Sequence, residues 1–320
     1  MIKNKVKETV FDKTTAPTPS CHASTVLPLP NGDIVAAWFG GVEEGALDVD
    51  IWVSVKSGGK WGKAVRVTAD PQMPHWNPVL FLRQDGTIYL YFKVGMKVRF
   101  WSTWRSESKD GGRTWSEPFE LAPGDENNGR GPVKNKAIRL SDGRVLAPAS
   151  SELNREWFCF TDTSFDEGDN WQRQANVATE NYVPMIQPSL WESAPGKVHM
   201  LTRTAVGFIY RSDSEDYGQT WSVAYKTDLP NNNSGLDLAK DDKGGLYLVS
   251  NPVGENWGAR TPLTLMYSGD NGKTWEEILV LENEPGEYSY PAIVFDKGKL
   301  HITYTWRREL IAYLLIELEG

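Results

Sequence analysis

SKDGGRTW, from Ser108 to Trp115, returns as SFDEGDNW from Ser164, SEDYGQTW from Ser214 and SGDNGKTW from Ser268, and these four copies decide the fold. A fifth segment, SVKSGGKW from Ser54, carries Lys56 where the others carry aspartate, yet ends on Trp61 in step with them. Trp61, Trp115, Trp171, Trp221 and Trp275 stand 54, 56, 50 and 54 residues apart, which is a structural repeat. Upstream of each box lies a turn glycine followed by an alternating strand: Gly32, Gly86, Gly143, Gly196, Gly244 and Gly298, at intervals of 54, 57, 53, 48 and 54. An apolar strand also precedes each glycine, so every repeat opens with a hairpin. Six repeats of about 50 residues each hold four short strands. The expectation is all-β: one six-bladed β-propeller over residues 1–320, four antiparallel strands per blade. After Trp306 the chain ends without a further box, so the segment Lys5 to Phe11 is expected to supply the last outer strand and close the ring.

The boxes themselves read as rim turns. Ser and Asp can accept backbone N–H bonds, Gly permits a positive φ, and Trp packs between blades. Calcium is not expected, because the twelve-position ligand ladder ending in Glu is missing.

Composition narrows the partners. The net charge is −8 with a pI near 5.2, which argues against nucleic acid and anionic membranes. No apolar run approaches a membrane span, and MIKNKVKETVFDK has no apolar core or cleavage site, so a cytoplasmic location is expected. Cys21 and Cys159 fall in different blades and form no disulfide framework. The four histidines have no metal-binding spacing, and no cofactor is expected. His75 reads as incidental, and His199 and His301 sit in second strands, where they face cores or solvent.

In a propeller, the residues entering the inner strands converge with the loops after the second strands on one face. The inner-strand entries are Cys21 and His22, Trp76 and Asn77, Lys134 to Lys136 with Asn135 between, Gln187, Asn233 and Ser234, and Tyr288 and Tyr290. The loops add Glu43, Glu44 and Asp48, then Lys93 and Arg99, Glu152 and Arg155, Arg203, Asn251, and Arg307 and Arg308. Cations beside carboxylates, in a protein acidic overall, predict an anion pocket with acid–base machinery. The plainer alternative is a solvated rim. Cys21 beside His22 is no nucleophile–base pair, since adjacent strand residues point to opposite faces.

The boxes and their period resemble the sialidase superfamily with bacterial neuraminidase repeats, along the whole chain. HASTVLPL, FGGVEEGALDVDIW, WNPVLF, GPVKNK, NSG, SYPAIV and HITYT resemble more narrowly its neuraminidase-like branch. That resemblance implies a retaining glycosidase with a Tyr nucleophile activated by Glu, an Asp acid/base and three carboxylate-binding arginines. Asp48, six residues before the first-blade box serine, matches the acid. Tyr288 or Tyr290 matches the nucleophile, and Arg203 and Arg308 match two of the arginines. Where the family has an Arg-Ile-Pro arginine, this chain reads PSCHAST with His22 in its place.

Two chemistries remain open, with an acidic oligosaccharide as the expected partner. In a hydrolase, Asp48 or Glu44 protonates the leaving oxygen and Tyr290 or the second carboxylate acts on the anomeric carbon. In a lyase, His22 or a tyrosine removes the proton beside a uronate carboxylate held by a lysine or arginine. The catalytic candidates are thus His22, Glu44, Asp48, Tyr288 and Tyr290; Trp76, Asn77, Lys93, Lys134, Asn135, Lys136, Glu152, Gln187, Arg203, Asn251 and Arg308 are binding candidates. A non-catalytic glycan-binding propeller is the third reading.

Overall fold

The computed structural model describes residues 2–68, 72–125, 129–153 and 156–319. Arg155 lies outside them. Six four-stranded antiparallel blades are arranged as a propeller. In blade one the strands are Ser20–Pro28, Ile34–Gly41, Asp50–Ser57 and Lys60–Trp61, with Val65–Arg66 also pairing the third strand. Blade two has His75–Leu82, Ile88–Val94, Ser102–Ser108 and Phe119–Glu120, and blade three Ile138–Arg139, Val145–Ser151, Phe158–Ser164 and Gln172–Arg173. Blade four runs Met185–Ala194, Lys197–Thr204, Phe208–Ser214 and Tyr225–Pro230; blade five runs Asp237–Lys240, Leu246–Ser250, Leu263–Ser268 and Glu276–Glu282. Blade six combines Tyr288–Asp296, Lys299–Trp306 and Leu310–Leu318 with the N-terminal strand Ile2–Thr9. The only helices among the described residues are the single turns Lys13–Thr15 and Val98–Phe100, and no helix is long and apolar enough to cross a membrane.

All six turn glycines have φ between +79° and +92°, the left-handed geometry that a side chain resists. Each full box folds alike. In the second blade Ser108 Oγ donates to Asp110 and accepts the Gly112 amide at 2.9 Å, while Asp110 accepts the Arg113 and Thr114 amides. Although partial burial works against it, these bonds to Thr114, Ser108 and Arg113 hold the Asp110 carboxyl down at about 2. The box glycine presses on the preceding blade: a Cβ on Gly168 would lie 2.3 Å from Tyr91 Oη.

The closing strand runs from Ile2 rather than from Lys5. Its register carries Ile2 opposite Leu318 and Thr9 opposite Ala312, and most of its side chains are exposed, so sequence alternation was a poor guide to its start. At the same seam Lys56 of the decayed box pairs with Glu8, which also accepts Trp61 Nε1 at 2.9 Å. The lysine that breaks the box pattern ties blade one to the closing strand.

Candidate active site

The inner strands are not regular. Their pairing slips between His22 and Thr25, Trp76 and Val79, Ile186 and Ser189, and Ser289 and Ala292. At those β-bulges Ala23, Asn77, Gln187 and Tyr290 take φ of +52°, +42°, +53° and +51°, and Asn233 takes +59° ahead of the fifth inner strand. A bulge re-aims a side chain that a flat strand would send sideways. Here Asn77, Gln187 and Tyr290, from blades two, four and six, line one cavity.

Arg203 is the common partner of three of the five left-handed residues. Its Nη1 donates to Tyr290 Oη at 2.7 Å and to Gln187 Oε1 at 3.1 Å, and its Nε donates to Asn233 Oδ1 at 2.7 Å. Three left-handed residues from three blades thus fix one buried guanidinium, 3% exposed. The cavity above it, about 190 Å³, is lined by His22, Glu44, Trp76, Asn77, Glu152, Gln187, Arg203, Tyr290 and Arg308, nine of the residues singled out from sequence. Val98, Trp101, Trp157, Ile186, Trp257 and Arg260 complete the wall.

Arg260 and Arg308 are held side by side. Glu287 accepts from Arg260 Nη1 at 2.7 Å and from Arg308 Nε at 2.8 Å, and Arg308 Nη1 also donates to Glu44. Burial alone would raise the Glu287 carboxyl, but Arg260 and Arg308 bring it below its ordinary value, so it stays ionised. Glu152 behaves in the opposite way. Burial pushes its carboxyl up to about 7, with Arg203 only partly opposing the rise.

His22 lies with its ring 4.2 Å from that of Tyr290, and its Nδ1 is 2.9 Å from Thr305 Oγ1. Burial first, then Arg308, Arg260, Lys134 and Arg203, drive its pKa well below the ordinary value. A neutral imidazole among cations can hydrogen-bond but is a poor place to put a proton. Burial likewise pushes the Cys21 thiol up to about 12, leaving it inert.

The remaining candidates sit elsewhere. Asp48 is exposed, and its carboxylate accepts the Val42 amide at 3.0 Å. Tyr288 is buried, with its hydroxyl accepting from Arg307. Asn251 donates to the carbonyls of Pro262 and Tyr288. Lys93 is enclosed in blade two, donating to Thr103 and the Arg130 carbonyl, and burial lowers it to about 7.

Lys134, Asn135 and Lys136 form a hub around the axis. Lys134 donates to the carbonyls of Leu236 and Pro291, and Asn135 to those of Gln187 and Pro188. Lys136 pairs with Asp237 at 2.9 Å, and Asp237 also accepts from Ser189 and from the Ile293 amide. These residues join blades three to six rather than facing the cavity.

Sequence reasoning missed Arg260, Glu287 and the wall tryptophans Trp101, Trp157 and Trp257. Arg260 lies in the loop after the second strand of blade five, the same structural slot that was read in the other blades, but the reading stopped at Asn251. Glu287 stands three residues before Tyr290, just outside its inner strand.

Other hollows lie at the rim. One of about 950 Å³ opens between blades five and six against Tyr247, Tyr267 and Phe295, with Asp241, Lys243, Glu276 and Lys297 also in its lining but no arginine among the described residues. At the seam of blades four and five, Ser193 Oγ is 2.7 Å from His199 Nε2, and His199 Nδ1 contacts Asp213. This has the order of a nucleophile–base relay. But Asn271 Nδ2 shares Nε2 and Arg211 lies 3.1 Å from Nδ1, so the chain serves the seam. Among the described residues no cluster of three or more His, Cys, Asp or Glu is placed to hold a metal.

Comparison with known proteins agrees with this architecture. A protein of unknown function from Dyadobacter fermentans superposes with a TM-score of 0.80 at 18% identity, covering 100% of this chain and 99% of that one. Trypanosoma rangeli sialidase in complex with the inhibitor DANA gives 0.77 at 13% identity, over 100% of this chain and 60% of that one. The K499G mutant of NanB sialidase from Streptococcus pneumoniae gives 0.74 at 12% identity, over 94% and 68%. No curated protein sequence matches the chain. The profile described as BNR repeat-like domain matches residues 32–302, most of the length. The chain therefore belongs to the BNR repeat-like domain family.

Proposed function

We propose that this protein is a glycosidase acting on a non-reducing-end acidic sugar, sialic-acid-like or uronate-containing. One observation carries the reading: the Tyr290 hydroxyl, held at 2.7 Å by Arg203, shares a cavity with Glu152, Arg260 and Arg308. Guanidiniums with fixed forks are suited to a planar carboxylate, and Glu287 gives two of them a fixed orientation. Glu152, raised to about 7, carries a proton near neutrality and serves as the general acid.

In the first step Glu152 gives its proton to the leaving oxygen while Tyr290 Oη bonds to the anomeric carbon; the phenol proton leaves to solvent, with Arg203 beside the oxygen. Water then attacks that carbon and returns a proton to Glu152, and Tyr290 departs as a phenolate beside Arg203 that takes back from solvent the proton lost in the first step. A tyrosine avoids the repulsion an anionic nucleophile would meet from the substrate's own carboxylate. Asp48, exposed and occupied by the Val42 amide, supports an acid role less well than Glu152 does. Glu44, exposed and paired with Arg308, is likewise less suited to hold a proton.

The Tyr290–Arg203 contact also favours a second reading, β-elimination from a uronate. There Arg260 and Arg308 neutralise the carboxylate, Tyr290 withdraws the adjacent proton and Glu152 protonates the leaving oxygen. The neutral, cation-crowded His22 is the weaker base for that step.

Incubation with a panel of sialosides and uronate oligosaccharides, following released sugar and ultraviolet absorbance together, separates the two. Saturated sugar supports the hydrolase and new unsaturated absorbance supports the lyase. Tyr290→Phe is expected to lower turnover about 10³-fold or more while the protein still unfolds cooperatively. Full activity in that variant sinks the assignment, and binding without product leaves a glycan-binding propeller.

A further inference from the structure

The two carboxylates that touch Arg308 are not equivalent. Glu287 is held by Arg260, Arg308 and the Ser289 hydroxyl together. Glu44 makes one contact, to Arg308 Nη1, from an exposed loop, with its side chain 40% exposed. The loop itself is closed by bonds that do not involve that side chain: Asp48 accepts the Val42 amide, and the Ala46 and Val49 amides reach the Glu43 and Ala46 carbonyls. Gly45 packs against the Trp76 ring, and Ala46 packs against the core shared by blades one and two. The backbone therefore stays seated whether or not Glu44 holds Arg308. Removing Glu44 also leaves Arg308 oriented, because its Nε remains bonded to Glu287.

Resting on the reading of this cavity as an acidic-sugar site, we propose that Glu44 is a built-in competitor that occupies Arg308 at the place taken by the ligand's anionic group. Ligand entry exchanges one carboxylate for another on the same guanidinium, and the Glu44 side chain swings out to solvent. Glu44 thereby sets specificity: a ligand with an anionic group at that point displaces it, whereas a neutral sugar of the same shape gains nothing from Arg308. An exposed carboxylate–guanidinium pair is worth at most about a factor of five in affinity, which sets the scale of the effect.

Calorimetric titration of the full chain with N-acetylneuraminate, D-glucuronate and neutral N-acetylglucosamine tests this. Glu44→Gln is expected to tighten binding of at least one acid about fivefold while leaving N-acetylglucosamine unchanged. Glu43→Gln removes the same charge one residue away from the same exposed loop, and is expected to shift acid binding less than about twofold, as a through-solvent effect. Acid affinity unchanged or weakened in Glu44→Gln overturns the proposal, as does an equal gain in Glu43→Gln, which reports only the general field. If neither acid binds wild type nor any variant, the acidic-sugar reading fails and the competitor role fails with it. If the acids bind wild type and Glu44→Gln binds no tighter, the role of Glu44 alone is wrong.

Discussion

Glu152 links the site to stability through a single proton. Folded, it titrates near 7; unfolded, near the ordinary 4.5. The folded state therefore holds a proton that the unfolded state gives up, and the stability this contributes is complete below about 4.5 and is lost as pH rises through 7. Glu152→Gln mimics the protonated side chain at every pH. Chemical denaturation is expected to show wild type and variant alike at pH 4, and the variant more stable by as much as about 3 kcal/mol at pH 8.5. A difference independent of pH would mean that Glu152 is not buried in the way its wall position implies. The same substitution removes the proposed acid, so its gain in stability is expected with a loss of turnover.

At this scale the sequence exposed much of the site and misread some of its members for a definite reason. His22, Trp76, Asn77, Gln187 and Tyr290 were found because each enters an inner strand eight to ten residues before a turn glycine, and three of the bulge residues precede proline: Asn77, Gln187 and Tyr290. Lys134 and Lys136 were counted as cavity cations from their position alone. Their partners are largely carbonyls and a carboxylate of other blades, Leu236, Pro291 and Asp237, and a backbone carbonyl leaves no trace in a residue pattern. Arg260 escaped because the loop that carries it continues beyond Asn251 for nine residues before turning inward.

The element that was legible without error is the box-and-glycine hairpin, because its residue types follow from backbone geometry that few other residues tolerate. Two kinds of glycine nevertheless do different work. Gly32 has φ +89° with nothing within 4 Å of a Cβ, so only its backbone requires glycine. Gly168 has φ +92° and would also drive a Cβ to 2.3 Å from Tyr91 Oη, on a fully buried ring whose hydroxyl donates to the Gly168 carbonyl. Gly32→Ala is expected to cost about 1–2 kcal/mol, the left-handed penalty alone. Gly168→Ala adds overpacking at the joint between blades two and three and is expected to cost about 3 kcal/mol or more. Equal losses of stability in urea titrations would show that the box is a local turn and not a clamp between blades.

At the scale of the whole ring, Lys56 and the N-terminal strand address one problem. A propeller that ends in a three-stranded blade leaves an open edge, and here that edge would be Leu310–Leu318, whose Ile311, Tyr313, Leu314 and Ile316 are buried. Ile2–Thr9 covers it in antiparallel register, and Glu8 is fastened from the first blade by Lys56 and Trp61. The closing strand itself buries little, its side chains being mostly exposed, so its contribution lies in backbone pairing and edge protection rather than in core. Deletion of residues 1–9 is therefore expected to leave a folded ring that associates as concentration rises, seen by light scattering, because an unpaired apolar strand is a template for another chain. The peptide IKNKVKET added in trans is expected to reverse the association by re-forming the missing strand, whereas a scrambled peptide of the same composition is not. A truncated protein that stays monodisperse with unchanged thermal unfolding would mean that the ring is closed by its blade-to-blade packing alone, and that Lys56 replaced the box aspartate for another reason.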